Sequence, residues 1–397
     1  MLQAIKIRLK LENEQRSFFE QNAGACRWVY NQALARYKKE YENGAPCLSK
    51  TEAINLISIW KPKYPWLYKC ESTSLQQSIS DLSQAFQNFF NSRNGKRKGN
   101  LIGFPKFKAK KKVKASFRIV NTNKKPSLCI EADRLKVPKL GLVKFHAIKK
   151  VKARIQNCRI KYATFSRDSD NHWYASILID GPAKSKLEPT EATIGIDLGI
   201  KNTITASTGA IMSIPEKLNY YERKIAKANR NLHRKILGSK NREKARLKLA
   251  KLYYKAKKLR EDWNHQISYA LVKYYDIITL ETLKIQNMMK NRRLAKKVAN
   301  AAWFQLKTFI KYKAEWYGKI VIEVSSWFPS SKLCHCCGTK NIALTLADRE
   351  WTCSNCNTNH NRDINAAKNL DQVSQILKAT GVIVTKEKEY LAAQFQK

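Results

Sequence analysis

Acidic residues are scarce in this chain. It has 31 Asp and Glu against 76 Lys and Arg over 397 residues, a formal charge of +45. So large an excess repels itself in the compact state and implies a polyanionic partner. Nucleic acid leads, because neutralising phosphates releases counterions and drives binding. Long apolar runs are also missing. None approaches the roughly eighteen residues of a membrane helix, no lipidation signal appears, and residues 1–10 hold too short an apolar run for a signal peptide. The chain therefore reads as an intracellular protein with no membrane partner, in which clustered cysteines bind metal rather than pair as disulfides. The 6 histidines are dispersed, while 43% apolar content still supplies real cores, enough for two or three domains.

What is present is most specific near the C-terminal end. Cys334-x-x-Cys337 and Cys353-x-x-Cys356 are separated by fifteen residues, and Asp363 follows seven residues later. Two knuckle turns at that spacing present four thiolates to one tetrahedral zinc, which has no open position and is structural. His335, Cys336 and His360 are nearby alternative donors, but only Cys334 with Cys337 repeats the two-residue gap. Cys26, Cys47, Cys70, Cys129 and Cys158 are scattered and read as small buried hydrophobes.

Residues 1–10 read as a strand carrying Leu2, Ile5, Ile7 and Leu9. Helical periodicity covers 14–42, with Phe19, Cys26, Ala33 and Tyr37, and ends near Gly44. It returns over 74–90 with Leu75, Ile79, Leu82 and Phe86. No acid occurs between Asp81 and Glu131, while 93–125 holds thirteen basic residues. Phe104, Phe107 and Phe117 interleave with them, which favours nucleic-acid contact over a merely solvated charge run. Strand patterns at 116–120, 135–137, 142–145, 158–165 and 172–179 suggest a small antiparallel barrel that closes only if the first strand joins it. The helices within 14–92 are then an insertion. Residues 181–192 read as a linker.

Beyond it, Asp197 interrupts the apolar run 193–199 and Glu281 ends the apolar strand 276–281. An unpaired charge in either place is costly, and a metal ion cancels that cost. If those strands are parallel neighbours and Asp363 opens a helix, the three carboxylates converge. Three such groups can hold two hard divalent ions about 3.5–4 Å apart, the arrangement for phosphodiester hydrolysis of the RNase H type. Gly195 and Gly199 flank Asp197 and leave room for close approach of metal and backbone. Asp276 and Glu323 read instead as edge or cap residues. Between the two acidic strands, 217–260 carries seventeen basic residues against two acidic ones. Its apolar steps break at Gly238-Ser239, giving an antiparallel helical hairpin with a basic outer surface. A further helix is expected over 306–317, a strand over 320–324 and a helix over 363–377.

These residues resemble a known family. Gly195-Ile196-Asp197-Leu198-Gly199-Ile200-Lys201, Glu281-Thr282-Leu283, Asn287-Met288 with Asn291, and Tyr312-Lys313-Ala314 before Gly318 all match the TnpB proteins of insertion sequences. So do Phe328-Pro329-Ser330-Ser331-Lys332-x-Cys334-x-x-Cys337-Gly338, Arg349-x-Trp351-x-Cys353-x-x-Cys356 and Arg362-Asp363-x-Asn365-Ala366-Ala367. In the first half the likeness rests on Arg27-x-x-Tyr30-Asn31, Leu75-Gln76, Ala85-Phe86-x-x-Phe89-Phe90 and Gly103-Phe104-Pro105-x-Phe107.

The resemblance implies a multidomain α/β protein and an RNA-guided DNA endonuclease. A wedge-type β-barrel (1–13 and 93–180) would carry a helical recognition insertion (14–92). After the linker would come a RuvC-like, RNase H-type nuclease domain (193–329 and 361–380) with an inserted helical hairpin, then a zinc ribbon (330–360) and a C-terminal tail (381–397). It implies Asp197, Glu281 and Asp363 as catalytic residues holding two Mg2+, and one structural Zn2+ on Cys334, Cys337, Cys353 and Cys356. The implied partners are a guide RNA and target double-stranded DNA, bound by a monomer on one RNA in the prokaryotic cytoplasm. Gln76 and Gln77 are candidate readers of a short flanking DNA motif, since an amide can contact adenine bidentately. Arg27, Lys106 and Lys108 are further candidate nucleic-acid contacts. Asn300 and Asn357 depart from the family pattern, where an acid and a ribbon glycine are common. The alternatives are a catalytically silent RNA-guided repressor and a guide-independent RuvC-type nuclease.

Overall fold

The computed structural model describes residues 1–397 apart from 45–47, 98, 122–125, 157, 201, 346 and 381–397. Cys47, Lys201 and the tail expected at 381–397 lie outside the described residues. The chain divides into two units, Met1–Pro182 and Ala183–Lys397.

In the first unit, strict alternation of buried and outward residues makes Leu2–Lys10 a strand, β1, with Gln3, Ile5, Ile7 and Leu9 facing inward. Glu12 and Gln15 form a reciprocal cap that starts α1 (Asn13–Glu42). A helix with no clear sequence periodicity follows, α2 (Lys50–Lys63), started by Ser49 and Glu52. A 3-10 turn (Pro65–Lys69) leads into α3 (Ser72–Arg93). Six strands complete the sheet: β2 (Ser116–Val120), β3 (Cys129–Glu131), β4 (Arg134–Val137), β5 (Gly141–His146), β6 (Arg159–Arg167) and β7 (Trp173–Asp180). The short helix α4 (Lys149–Gln156) precedes β6.

The strand order is β2-β6-β7-β1-β5-β4-β3, and every pairing is antiparallel. The first strand is the centre of the sheet, joining β7 to β5. The sheet curls, and no ladder joins β2 to β3 among the described residues. Asn121 spans that gap: its amide donates to the carbonyls of Leu128 (2.6 Å) and Ile160 (2.9 Å) and accepts from the Leu128 N–H (2.8 Å). Phe19 of α1 plugs the interior, with its ring 5.3, 5.0 and 5.2 Å from those of Phe117, Phe165 and Trp173. Phe117 is therefore core, not a nucleic-acid contact: it lies on the inward register of β2 and is 4% exposed.

The second unit has a five-stranded sheet of β8 (Thr193–Asp197), β9 (Ile204–Ala206), β10 (Ile211–Met212), β11 (Ile277–Glu281) and β12 (Ile320–Val324), in the order β10-β9-β8-β11-β12. The pairs β8–β11 and β11–β12 are parallel, and β8–β9 and β9–β10 antiparallel. Between β10 and β11 runs the hairpin of α5 (Lys217–His233) and α6 (Lys240–Tyr274), whose turn ends at the Ser239 cap. Between β11 and β12 run α7 (Ile285–Lys290), α8 (Arg292–Ala301) and α9 (Trp303–Tyr317). The cysteine module follows, with its two-stranded sheet of β13 (Glu350–Thr352) and β14 (Asn359–Asn361), and then α10 (Arg362–Ala379). Asp276 and Glu323 are structural. Asp276 accepts from the N–H groups of Thr190 and Glu191 and pairs with Lys319, while Glu323 pairs with Lys307 and Lys311.

Candidate active site and metal centre

The parallel register of β8 and β11 runs from Thr193 opposite Ile277 to Ile196 opposite Leu280, so Asp197 and Glu281 stand side by side at the carboxyl edge. Asp363 reaches them through the direction of α10. Thr193 donates to Asp371 at 2.7 Å, Ser207 donates to the same carboxylate at 3.1 Å, and the hydroxyls of Thr279 and Ser374 bond to each other. A Cβ on Gly195 would lie 2.0 Å from the Ala367 carbonyl oxygen and 2.4 Å from the Asp371 nitrogen. Gly195 is thus required by the helix backbone lying directly on the strand, rather than by metal approach. Gly199 serves a tight turn, where a Cβ would meet the Asn202 carbonyl oxygen at 2.6 Å. From Thr193 to Asp197 a strand advances about 13 Å, and from Asp371 back to Asp363 a helix advances about 12 Å. The start of α10 is thereby level with the strand ends.

The electrostatics agree with that proximity. Burial pushes the Asp197 carboxyl up from 3.8 to about 7, with further upward pressure from the charges of Asp363 and Glu281. Burial also raises Glu281, eased by the nearby Lys307 ammonium. Asp363 is held by Arg349 and Arg362, each at 3.3 Å. Among the described residues the three carboxylates do not close to within 4.8 Å of one another, as the four cysteines do.

The sulfurs of Cys334, Cys337, Cys353 and Cys356 all lie within 4.8 Å of one another. Cys334 is 3.5 Å from Cys356, and Cys337 is 3.6 Å from Cys353, close to the edge of a tetrahedron with bonds of about 2.3 Å. This cluster can hold a metal such as zinc. Two matching knuckles build it. The Gly338 N–H donates to the Cys334 carbonyl and the Asn357 N–H to that of Cys353, each in the left-handed conformation, at φ 73° and 55°. Asparagine tolerates this conformation better than other side-chain-bearing residues, which explains how position 357 works without glycine. Cys336 is exposed and outside the cluster. His360 Nε2 sits 3.1 Å from the Cys334 sulfur, and His335 turns to Asn365.

Asn365 donates to the Leu333 carbonyl at 2.6 Å, Asn369 to those of Ser330 and Leu333 at 2.7 Å, and Gln372 to that of His335 at 2.6 Å. The cysteine module is therefore stapled to the helix that carries Asp363. Sequence periodicity gave no hint of Asp371, Lys307 or these amide bridges, because each depends on a partner far along the chain.

In the first unit a cleft of about 130 Å³ brings together Arg27, Gln77, Lys108, Lys114, Arg118 and Asp81. Gln76 is exposed on α3, and Lys106 is exposed on the loop before β2; neither lines this cleft. Lys108 lies 3.6 Å from the Tyr30 ring centre, its backbone clamped by Asn31 at 2.8 and 3.1 Å, and burial lowers its ammonium pKa. Phe104 packs on Phe86 and Phe89 at 5.3 and 5.5 Å, which leaves Phe107 the more open ring at 51% exposed. Asn300 accepts from Arg260 at 3.0 Å and donates to Glu222, tying α8 to the hairpin.

Family models match three stretches. Residues 303–370 match "Cas12f1-like, TNB domain", 176–292 match "Probable transposase", and 1–45 match "Helix-turn-helix domain". In the structure that last stretch is β1 followed by the single helix α1. A solved chain from a cryo-EM structure of a Cas12f1–sgRNA–target DNA complex superposes with a TM-score of 0.59 at 15% identity, covering 94% of this chain and 98% of that one. The fold is thus similar to that of this Cas12f1 chain. A "Putative RNA-guided DNA endonuclease" of Streptomyces pristinaespiralis is 32% identical over 92% of this chain and 88% of its own. "Putative RNA-guided DNA endonuclease InsQ" of Escherichia coli K12 is 28% identical over 96% and 95%. The chain belongs to the TnpB family of insertion-sequence proteins.

Proposed function

We propose that this protein is an RNA-guided DNA endonuclease of an insertion sequence, which hydrolyses phosphodiesters in target DNA matched to its guide RNA and flanked by a short motif. The reading is carried by one observation: the parallel register of β8 and β11 sets Asp197 and Glu281 side by side at the carboxyl edge, and Asp363 opens the helix that packs on β8. Asp197, Glu281 and Asp363 are the catalytic residues in this reading. An all-oxygen donor set whose members repel one another suits hard divalent cations, Mg2+ first. When bound, such ions supply a water of lowered pKa and neutralise charge on the departing oxygen. The chain's own part is to hold the acids in place: β8 and β11 fix two, and the stapled α10 fixes the third. Arg349 and Arg362, each at 3.3 Å, balance the Asp363 charge and would share it with a bound cation.

In this reading the second unit is a RuvC-type, RNase H-like nuclease with Zn2+ on its four cysteines. The first unit is a wedge-type sheet with a helical recognition insertion, which presents Arg27, Gln76, Gln77, Lys106 and Lys108 to nucleic acid. A single protomer acts on one RNA, in the cytoplasm, where its DNA targets lie. Among the described residues no helix is long and apolar enough to cross a membrane.

The test is purification with bound RNA, sequencing of that RNA, and cleavage of a plasmid carrying the matching target beside a randomised flank. Wild type cuts a subset of flanks in Mg2+. Asp197→Ala binds the same targets and cuts none. Cutting that survives Asp197→Ala, or that needs no RNA, overturns the proposal.

A further inference from the structure

Three residues beyond the paired ends Glu281 and Val324, the two parallel strands release Lys284 and Trp327. The Lys284 ammonium lies 4.6 Å from the Trp327 ring centre. Trp327 is 83% exposed, among the most exposed large apolar side chains described. Its neighbour Phe328 goes the opposite way and packs on the Val373 and Leu377 cluster. A turn closed by the Phe328 N–H on the Ser325 carbonyl (3.0 Å) fixes this split. An indole held outward by a turn, with its half-buried neighbour as anchor, is not a core residue that failed to pack. The segment that supplies Lys284 is cationic in sequence: no acid occurs between Glu281 and Glu315, while that stretch contains Lys284, Lys290, Arg292, Arg293, Lys296 and Lys307.

An exposed aromatic face with an ammonium against it matches one nucleotide, the ring taking the base and the cation the phosphate. It stands at the edge of the sheet where Glu281 ends β11. The geometry points to Lys284 and Trp327 as a landing platform for the DNA strand at the cut, with Trp327 stacking a base beside the scissile phosphate and Lys284 neutralising an adjoining one. This deepens the nuclease reading and rests on it. Trp327 is then a substrate-positioning residue, and it sets which phosphate reaches the acids.

The test uses the full chain with its RNA. Trp327→Ala cuts matched DNA about tenfold more slowly and at dispersed positions, while target affinity measured in Ca2+ stays within about twofold, and Trp327→Phe recovers most of the rate. In an Asp197→Asn background, which does not depend on turnover, 2-aminopurine placed at successive nucleotides around the cut is quenched at one position, and Trp327→Ala relieves that quenching. Lys284→Ala slows cutting most at low salt. Unchanged rate, cut positions and fluorescence overturn the platform, as does a Trp327→Ala effect confined to sedimentation, which marks a protein contact. If wild type itself does not cut, it is the nuclease reading that fails; the fluorescence arm still scores the platform.

Discussion

Asp197 shows what a buried carboxylate costs the fold. Its carboxyl ionises near 3.8 when free and near 7 in the folded, metal-free protein. Between those values the native state holds a proton that the unfolded chain has released, so the contribution of Asp197 to native stability falls as pH rises from about 4 to 7. Asp197→Asn removes that contribution and leaves the smaller one of Glu281. At pH 7.5 without divalent ions the variant is expected to be more stable than wild type by about 1–3 kcal/mol and, under the proposed function, to lose cleavage. Thermal melts at pH 5 and 7.5, with and without Mg2+, check this, and Mg2+ should raise the wild-type midpoint more than the variant's. At Gly195 the expectation is the reverse. Gly195→Ala forces a methyl into the backbone of α10 and should destabilise the protein by about 3 kcal/mol or more in denaturant titration.

At this scale the sequence was readable where a residue broke a pattern. Asp197 and Glu281 stood out because each interrupted or ended an apolar strand. Gly195 stood out as well, but for the wrong reason, since nothing local tells that a helix from position 362 onward will lie against it. Phe117 misled because an aromatic among lysines looks the same in a chain whether its strand register turns it outward or inward.

Elements were legible where apolar residues repeat at helical or strand spacing along them. The α5–α6 hairpin announced itself through leucines and a Gly-Ser break. Helix α2 did not: it buries only Ala53 and Ile57 and carries Pro62 in its last turn. The cysteine module was plain from spacing, whereas its amide staples to α10 were not. Those staples make a prediction. Removing the metal with a chelator that spares Mg2+, or replacing Cys353 by Ser, should free the Leu333 and His335 carbonyls from Asn365, Asn369 and Gln372. Cleavage should then fall by about tenfold or more even in excess Mg2+, since the carboxylate on α10 loses its alignment. Single-turnover rates measured beside zinc content decide it.

For the whole molecule, charge is the governing quantity. A net +45 implies many phosphate contacts, so affinity for the bound RNA should drop by roughly 10³-fold or more between 50 and 200 mM salt. A shallow slope in filter binding would contradict that. The division after Pro182 coincides with the compositional break at Gly181-Pro182, and β1 joins the later strands as the barrel argument required, although its place in the middle of the sheet was not expected. How the curled sheet is fastened at its open side was hidden, because Asn121 is an unremarkable asparagine until Leu128 and Ile160 converge on it.

Helix α10 acts as a ruler. It is anchored to the sheet at Asp371 and Ser374 and delivers its acid two turns away, so the count of residues between anchor and acid is itself under constraint. Deleting one residue from 364–370 would swing Asp363 about 100° around the helix axis and draw it back by about 1.5 Å. Every side chain at the site would keep its identity, and the third carboxylate would face elsewhere.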